Sequence, residues 1–258
     1  MTKREELRKW AEDVVPEFNK LSDATKTPYY TQSPLNVIES TIENLVIGIN
    51  PGSGGHEASI LDVDDFFTGN KEWWDNRFVS TENGAEITKG GKYKYFNNGH
   101  YIICGDRIRH NDGFDNDAKT VWTNFTPFST KGKATINNDH YKKSVPKIVE
   151  LINILSPKRI YLFGKDSFNF FTDYQNCVKI ERKKILKDNL EDGILEIGEI
   201  NGIPAIQLPH PSIKWRFHKI FVPLFAEMWR NCLKEKLPLD ELSIKMRKQL
   251  TRLVPIED

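Results

Sequence analysis

Asn44-Leu45-Val46-Ile47-Gly48-Ile49-Asn50-Pro51-Gly52-Ser53-Gly54-Gly55 is the stretch that decides the fold. Its apolar run does not alternate with polar residues, as a half-solvated strand would, and it is too short for a helix. It reads as a central parallel strand, buried on both faces, that stops abruptly in a glycine-rich loop. Three later runs look alike: Thr120-Val121-Trp122-Thr123-Asn124-Phe125, Arg159-Ile160-Tyr161-Leu162-Phe163-Gly164 and Pro204-Ala205-Ile206-Gln207-Leu208. Each leads into a polar loop and, further on, a helical pattern. Strands alternating with helices predict an α/β protein, a three-layer α/β/α sandwich around a mostly parallel four-stranded sheet. Ligands bind such sheets beyond the carboxyl ends of the strands, so Asn50, Asn124, Gly164 and His210 are predicted to line one edge.

Around this frame the chain reads as one domain over 1–258. A helix is predicted over about 3–22, where Leu7, Trp10, Val14 and Val15 recur at helical spacing, followed by a polar loop through Pro28 and Pro34. Residues 56–118 read as an insertion around the site, rich in aromatics (Phe66, Phe67, Trp73, Trp74, Phe78), with a hairpin from Lys92 to Cys104 turning at Asn97-Asn98-Gly99. Residues 236–258 read as a helical extension, with a basic amphipathic helix at about 239–252 packed on the outside.

Composition narrows the classes. A chain of 258 residues with 38% hydrophobic content can bury one large core. No apolar run approaches the ~20 residues that span a bilayer, so no membrane partner is expected. The mixed-charge start, Met1-Thr2-Lys3-Arg4-Glu5-Glu6, lacks the apolar core of an export signal. Cys104, Cys177 and Cys232 are scattered and odd in number, which fits a cytoplasmic protein and excludes a four-cysteine metal or iron-sulfur site. The net charge is only +1, but it is unevenly spread. Glu57 to Glu86 carries eight acids against two bases, while Lys179 to Lys187 carries five bases and one acid. Lys214, Arg216 and Lys219, with His218 between, follow closely on His210-Pro211-Ser212. Phosphate contact is expected along the basic stretches rather than the acidic one; each run can also be an ordinary solvated face.

Two strand ends carry the chemistry. Gly48-x-Asn50-Pro51-Gly52 and His210-Pro211-Ser212 resemble the two signature motifs of the uracil-DNA glycosylase superfamily, and the strand ending in Asn124 is similar to its third feature. The Asn-Pro-Gly form is similar to the mismatch-specific and single-strand-selective branches, whereas the fast uracil-specific branch carries Asp and Tyr there. His-Pro-Ser is similar to the fast and single-strand-selective branches, so the combination leans towards the latter.

The resemblance implies a DNA glycosylase that works without metal or cofactor, as a monomer, on single- or double-stranded DNA. Asn50 and His210 would be the catalytic pair. Asn50 would hold the attacking water; an amide orients water by hydrogen bonding but is no strong general base, which predicts slower chemistry than an Asp enzyme. His210 would donate to the carbonyl oxygen on which the departing pyrimidine gathers negative charge. The fixed donor and acceptor of Asn124 match the N3-H and O4 edge of uracil and mismatch the reversed pattern of cytosine. Gly52, in place of Tyr, would leave the C5 side of the base open to modified pyrimidines. Phe66 is the nearest aromatic to the place where the family stacks one under the base. Ser53 and Ser212 would meet phosphate, Ile213 and Trp215 are wedge candidates for the duplex, and Lys214 and Arg216 suit flanking phosphates.

Two other readings stand beside this one. Asn, Pro and Gly are all favoured in turns, so Asn50 fits equally a non-catalytic nucleic-acid or nucleotide binder of the same fold. Gly52-Ser53-Gly54-Gly55 could cradle a phosphate through its backbone, although it lacks the Lys-Ser/Thr ending of a P-loop.

Overall fold

The structure is a computed structural model that describes residues 1–29, 33–39, 41–51, 58, 60–69, 99, 101–103, 120–129, 138–165, 167–174, 178–185, 195–211 and 216–253. Helix α1 (Lys3–Thr25) starts in a reciprocal cap: the Thr2 hydroxyl accepts from the Glu5 amide, and the Glu5 carboxylate accepts from the Thr2 amide. It buries Leu7, Trp10, Ala11, Val14, Val15 and Phe18 and ends at Lys26 in the left-handed region. After it come β1 (Asn44–Gly48), the short helix α2 (Val63–Thr68), β2 (Thr120–Asn124) and α3 (Asn138–Leu155). β3 (Arg159–Phe163) leads into a 3₁₀ helix (Ser167–Tyr174); then follow β4 (Ile180–Lys184), β5 (Glu196–Ile200), β6 (Ile203–Leu208), α4 (Arg216–Leu233) and α5 (Leu239–Leu253).

The strands form one open sheet in the order β2-β1-β3-β6-β5-β4. The four predicted strands are its parallel part, β2, β1, β3 and β6. Among the described residues the sheet has six strands rather than the predicted four: β5 runs antiparallel to β6, and β4 antiparallel to β5. Alternation along each strand explains why both faces are apolar. Leu45, Ile47, Val121, Ile160, Leu162 and Ala205 join the cluster under α1 and α3. Val46, Trp122, Tyr161, Phe163, Ile206 and Leu208 join the opposite cluster with Val222, Phe225 and Trp229 of α4. Each fully buried side chain of this kind contributes roughly 1.5–3 kcal/mol relative to solvent.

α5 is the amphipathic helix expected at about 239–252, and it packs into the second layer. Its Leu242, Met246 and Leu250 are buried in the same cluster as α4, and it packs on β4. The hairpin expected from Lys92 to Cys104 is also corrected, since Gly99 and residues 101–103 are helical. The reason is packing. A Cβ at Gly99 would stand 2.5 Å from Cη2 of Trp122 and 3.3 Å from Cε2 of Phe163, so glycine lets this turn lie directly on the aromatic pair. Ile102 and Ile103 are buried beside it, and Arg230 Nη1 donates to the Ile102 carbonyl at 2.9 Å. Among the described residues no helix is long and apolar enough to cross a membrane.

Candidate active site

The parallel strands all end at one edge of the sheet, and their register fixes how the predicted residues stand along it. Thr123, Ile47, Leu162, Gln207, Glu196 and Lys184 form one row across all six strands. Asn124 lies one residue beyond this row on β2, Asn50 three beyond on β1, Gly164 two beyond on β3 and His210 three beyond on β6. β1 and β6 are separated only by β3, so Asn50 and His210 follow strand ends roughly 10 Å apart.

Backbone hydrogen bonds continue past the strands and stitch these ends in pairs. The Phe125 amide donates to the Gly48 carbonyl at 2.8 Å and the Thr126 amide to the Ile49 carbonyl at 3.3 Å, which ties the Asn124 segment to the Asn50 segment. On the other side, the Gly164 amide donates to the Leu208 carbonyl at 2.9 Å, two residues before His210. Gly164 also joins the two pairs. It has φ +135°, and a Cβ there would lie 2.6 Å from Cδ1 of Ile49, so the residue before Asn50 packs directly on the end of β3. The Ser167 hydroxyl donates to the Gly164 carbonyl at 2.9 Å and holds that turn in place.

The side chains at this edge differ in environment. Asn50 is half-buried, and its Nδ2 donates to the Pro51 carbonyl at 2.9 Å. That bond turns Oδ1 into the acceptor end of a fixed amide. Asn124 is buried, only 3% exposed. His210 is half-buried, and burial holds its imidazolium down to a pKa of about 4. The ring is therefore neutral near pH 7, with one nitrogen donating and the other accepting. Pro51 and Pro211, which follow Asn50 and His210, are buried.

The other site expectations divide. Phe66 is corrected: it is 2% exposed and lies in an aromatic cluster with Trp10, Phe18 and Tyr29, so it is part of the core between α1 and α2. Gly52, Ser53, Ser212, Ile213, Lys214 and Trp215 lie outside the described residues. Arg216 is the first residue of α4, with only its backbone described.

Three polar residues near the edge were not singled out from the sequence. Gln207 is fully buried within β6, and its Oε1 accepts from the Phe168 amide at 3.0 Å, anchoring the 3₁₀ helix to the sheet. Glu196, opposite it on β5, is 2% exposed and pairs with Arg182 at 3.5 Å. His140 is buried, stacked on Phe128 with centroids 4.4 Å apart, and its Nε2 lies 3.1 Å from the Thr25 hydroxyl. The signal for Gln207 was present, a single amide inside an apolar strand; Glu196 and His140 sit in segments whose charge reads as solvated surface. Among the described residues no three His, Cys, Asp or Glu side chains converge as a metal cradle.

No protein-family model matches the chain, and no curated protein matches it.

Proposed function

We propose that the chain is a monofunctional DNA glycosylase, similar to the uracil-DNA glycosylase superfamily, which hydrolyses the N-glycosidic bond of uracil or a related modified pyrimidine. The observation that carries this reading is the placement of Asn50 and His210 beyond β1 and β6, on either side of the Gly164 turn, with Asn124 beside them. A nucleotide extruded from its stack would enter at this edge. The Asn50 amide oxygen orients a water towards the sugar C1′. The bond from C1′ to the base nitrogen breaks, its electron pair leaves with the base, and the water oxygen bonds to C1′ as its proton passes to solvent. The neutral His210 ring donates a hydrogen bond to the base oxygen on which the charge accumulates. Losing one such donor typically costs about 3 kcal/mol of transition-state stabilisation. Neither motif supplies a lysine for an imine, so the product is an intact strand with an abasic site. The reading includes a monomer acting on DNA in the cytoplasm.

One observation favours a second reading. The bond from Asn50 Nδ2 to the Pro51 carbonyl is also what a plain turn asparagine makes, which suits a non-catalytic nucleic-acid binder of the same fold. Uracil-containing single- and double-stranded oligonucleotides, incubated with the protein and then treated with alkali, separate the two. Breakage at the uracil that disappears in Asn50→Ala supports excision. Tight binding with no alkali-labile site selects the binder.

A further inference from the structure

We infer that exposed cations of β4 and α5 form a basic arm that holds phosphates of the DNA strand about four nucleotides from the extruded base. The inference rests on the base-excision reading and adds to it a flank of the substrate. The four parallel strands already complete the site edge, and the β4–β5 hairpin extends the sheet beyond it on the β6 side. The positive charge sits on β4, where residues 181–184 are exposed and three of these four are Arg182, Lys183 and Lys184, while β5 carries Glu196 and Glu199.

Register places the end of this strand three residues, about 10 Å along the strand direction, short of His210. Lys184 pairs with Glu196, and Glu196 with Gln207, three residues before His210. Two strand spacings therefore separate Lys184 from β6, about 10 Å. With the offset along the strand, the Lys184 backbone stands about 14 Å from His210, which at about 3.4 Å of axial rise per phosphate corresponds to roughly four nucleotides.

Arg182, Lys183 and Arg247 each also brace the fold. Arg182 is a brace, joined to Asn169 Oδ1 at 2.7 Å and to the buried Glu196 carboxylate at 3.5 Å. Lys183 is a second brace, paired at 2.6 Å with Asp240 at the start of α5. Lys184 has no acidic partner among the described residues. The guanidinium of Arg247 on α5 donates to the Lys184 carbonyl, which holds a second exposed cation at the end of β4. Lysine on an edge strand also discourages edge-to-edge pairing. The two roles differ in their response to salt, because only phosphate contact releases counterions.

The test measures fluorescence anisotropy of a labelled single-stranded oligonucleotide carrying one uracil across a salt series, with and without Lys184→Gln/Arg247→Gln, both in the Asn50→Ala background so that the base is retained. Single-turnover excision at saturating uracil oligonucleotide is followed in parallel with Asn50 intact. The arm predicts a binding slope against log salt that is shallower by about 1.4 in the variant, ~0.7 per lost contact. Saturated excision stays at the wild-type rate. The difference between the two proteins vanishes on strands trimmed to fewer than about four nucleotides on the contacted flank. Equal slopes at every length, with excision intact, overturn the arm and leave edge protection as the role of these cations. A wild type that neither binds nor excises overturns the base-excision reading and the arm together.

Discussion

Asn50 is held in part by its own neighbour, with its amide nitrogen donating to the Pro51 carbonyl. If its amide oxygen orients the water, Asn50→Ala lowers single-turnover excision about a hundredfold, the scale of a lost positioning contact, while binding changes little. His210→Ala lowers it about 10²- to 10³-fold through loss of the donor. A pH profile tests the protonation state directly. Burial holds His210 down to about 4, so excision shows no loss from this group until the pH approaches that value, where the ring charges. The same shift sets a stability term. An unfolded histidine gains its proton near pH 6.5 but the folded one does not, so the native state loses stability as pH falls from about 6.5 to about 4. His140, also lowered by burial, acts in the same direction. Denaturant midpoints of His210→Gln at pH 7 and pH 5 check this: the acid loss should be smaller than in wild type. At Asn124, exchange for Asp replaces the donor end of the amide, and competition between uracil and cytosine oligonucleotides should show eroded uracil preference.

Among the elements, the end of β3 decides how the others meet. Gly164→Ala must place a methyl group 2.6 Å from Cδ1 of Ile49 in a backbone region that side chains rarely adopt. It should destabilise the fold by roughly 1–3 kcal/mol and, by moving Ile49, reduce excision more than the stability loss explains. Denaturant curves and excision rates on the same preparation separate the two effects. The same scale shows what the sequence makes legible. β1, β2, β3 and β6 are buried on both faces, so they read as unbroken apolar runs, and their ends predicted the edge where Asn50 and His210 stand. β4 and β5 escaped because Ile180-Glu181-Arg182-Lys183-Lys184 is an exposed edge whose charges resemble a solvated face, and Glu196-Ile197-Gly198-Glu199-Ile200 hides its apolar residues among acids and a glycine. Phe66 was misread because spacing from the first motif says nothing about direction; α2 turns its ring towards Trp10 and Phe18. The hairpin expected at Gly99 is contradicted by the helical residues 99 and 101–103, where glycine allows close contact with Trp122 and Phe163, while residues 92–98 lie outside the described residues.

Across the whole molecule, two apolar clusters sit on opposite faces of one sheet, and their strands alternate between them. Loss of either cluster strips a face of β1, β3 and β6, so unfolding by far-UV circular dichroism and by tryptophan fluorescence should coincide. Gly99→Ala should weaken the second cluster through the clash with Trp122 and lower the common midpoint, with the two signals still together. The central claim, that Asn50 and His210 act on one glycosidic bond, is tested most directly by mass spectrometry of the free bases released from DNA carrying varied pyrimidines. The account predicts a released uracil-like base with wild type and release slowed about a hundredfold or more with either Asn50→Ala or His210→Ala. Base release that persists unchanged in both variants, or a folded wild type that releases no pyrimidine at all, would contradict it.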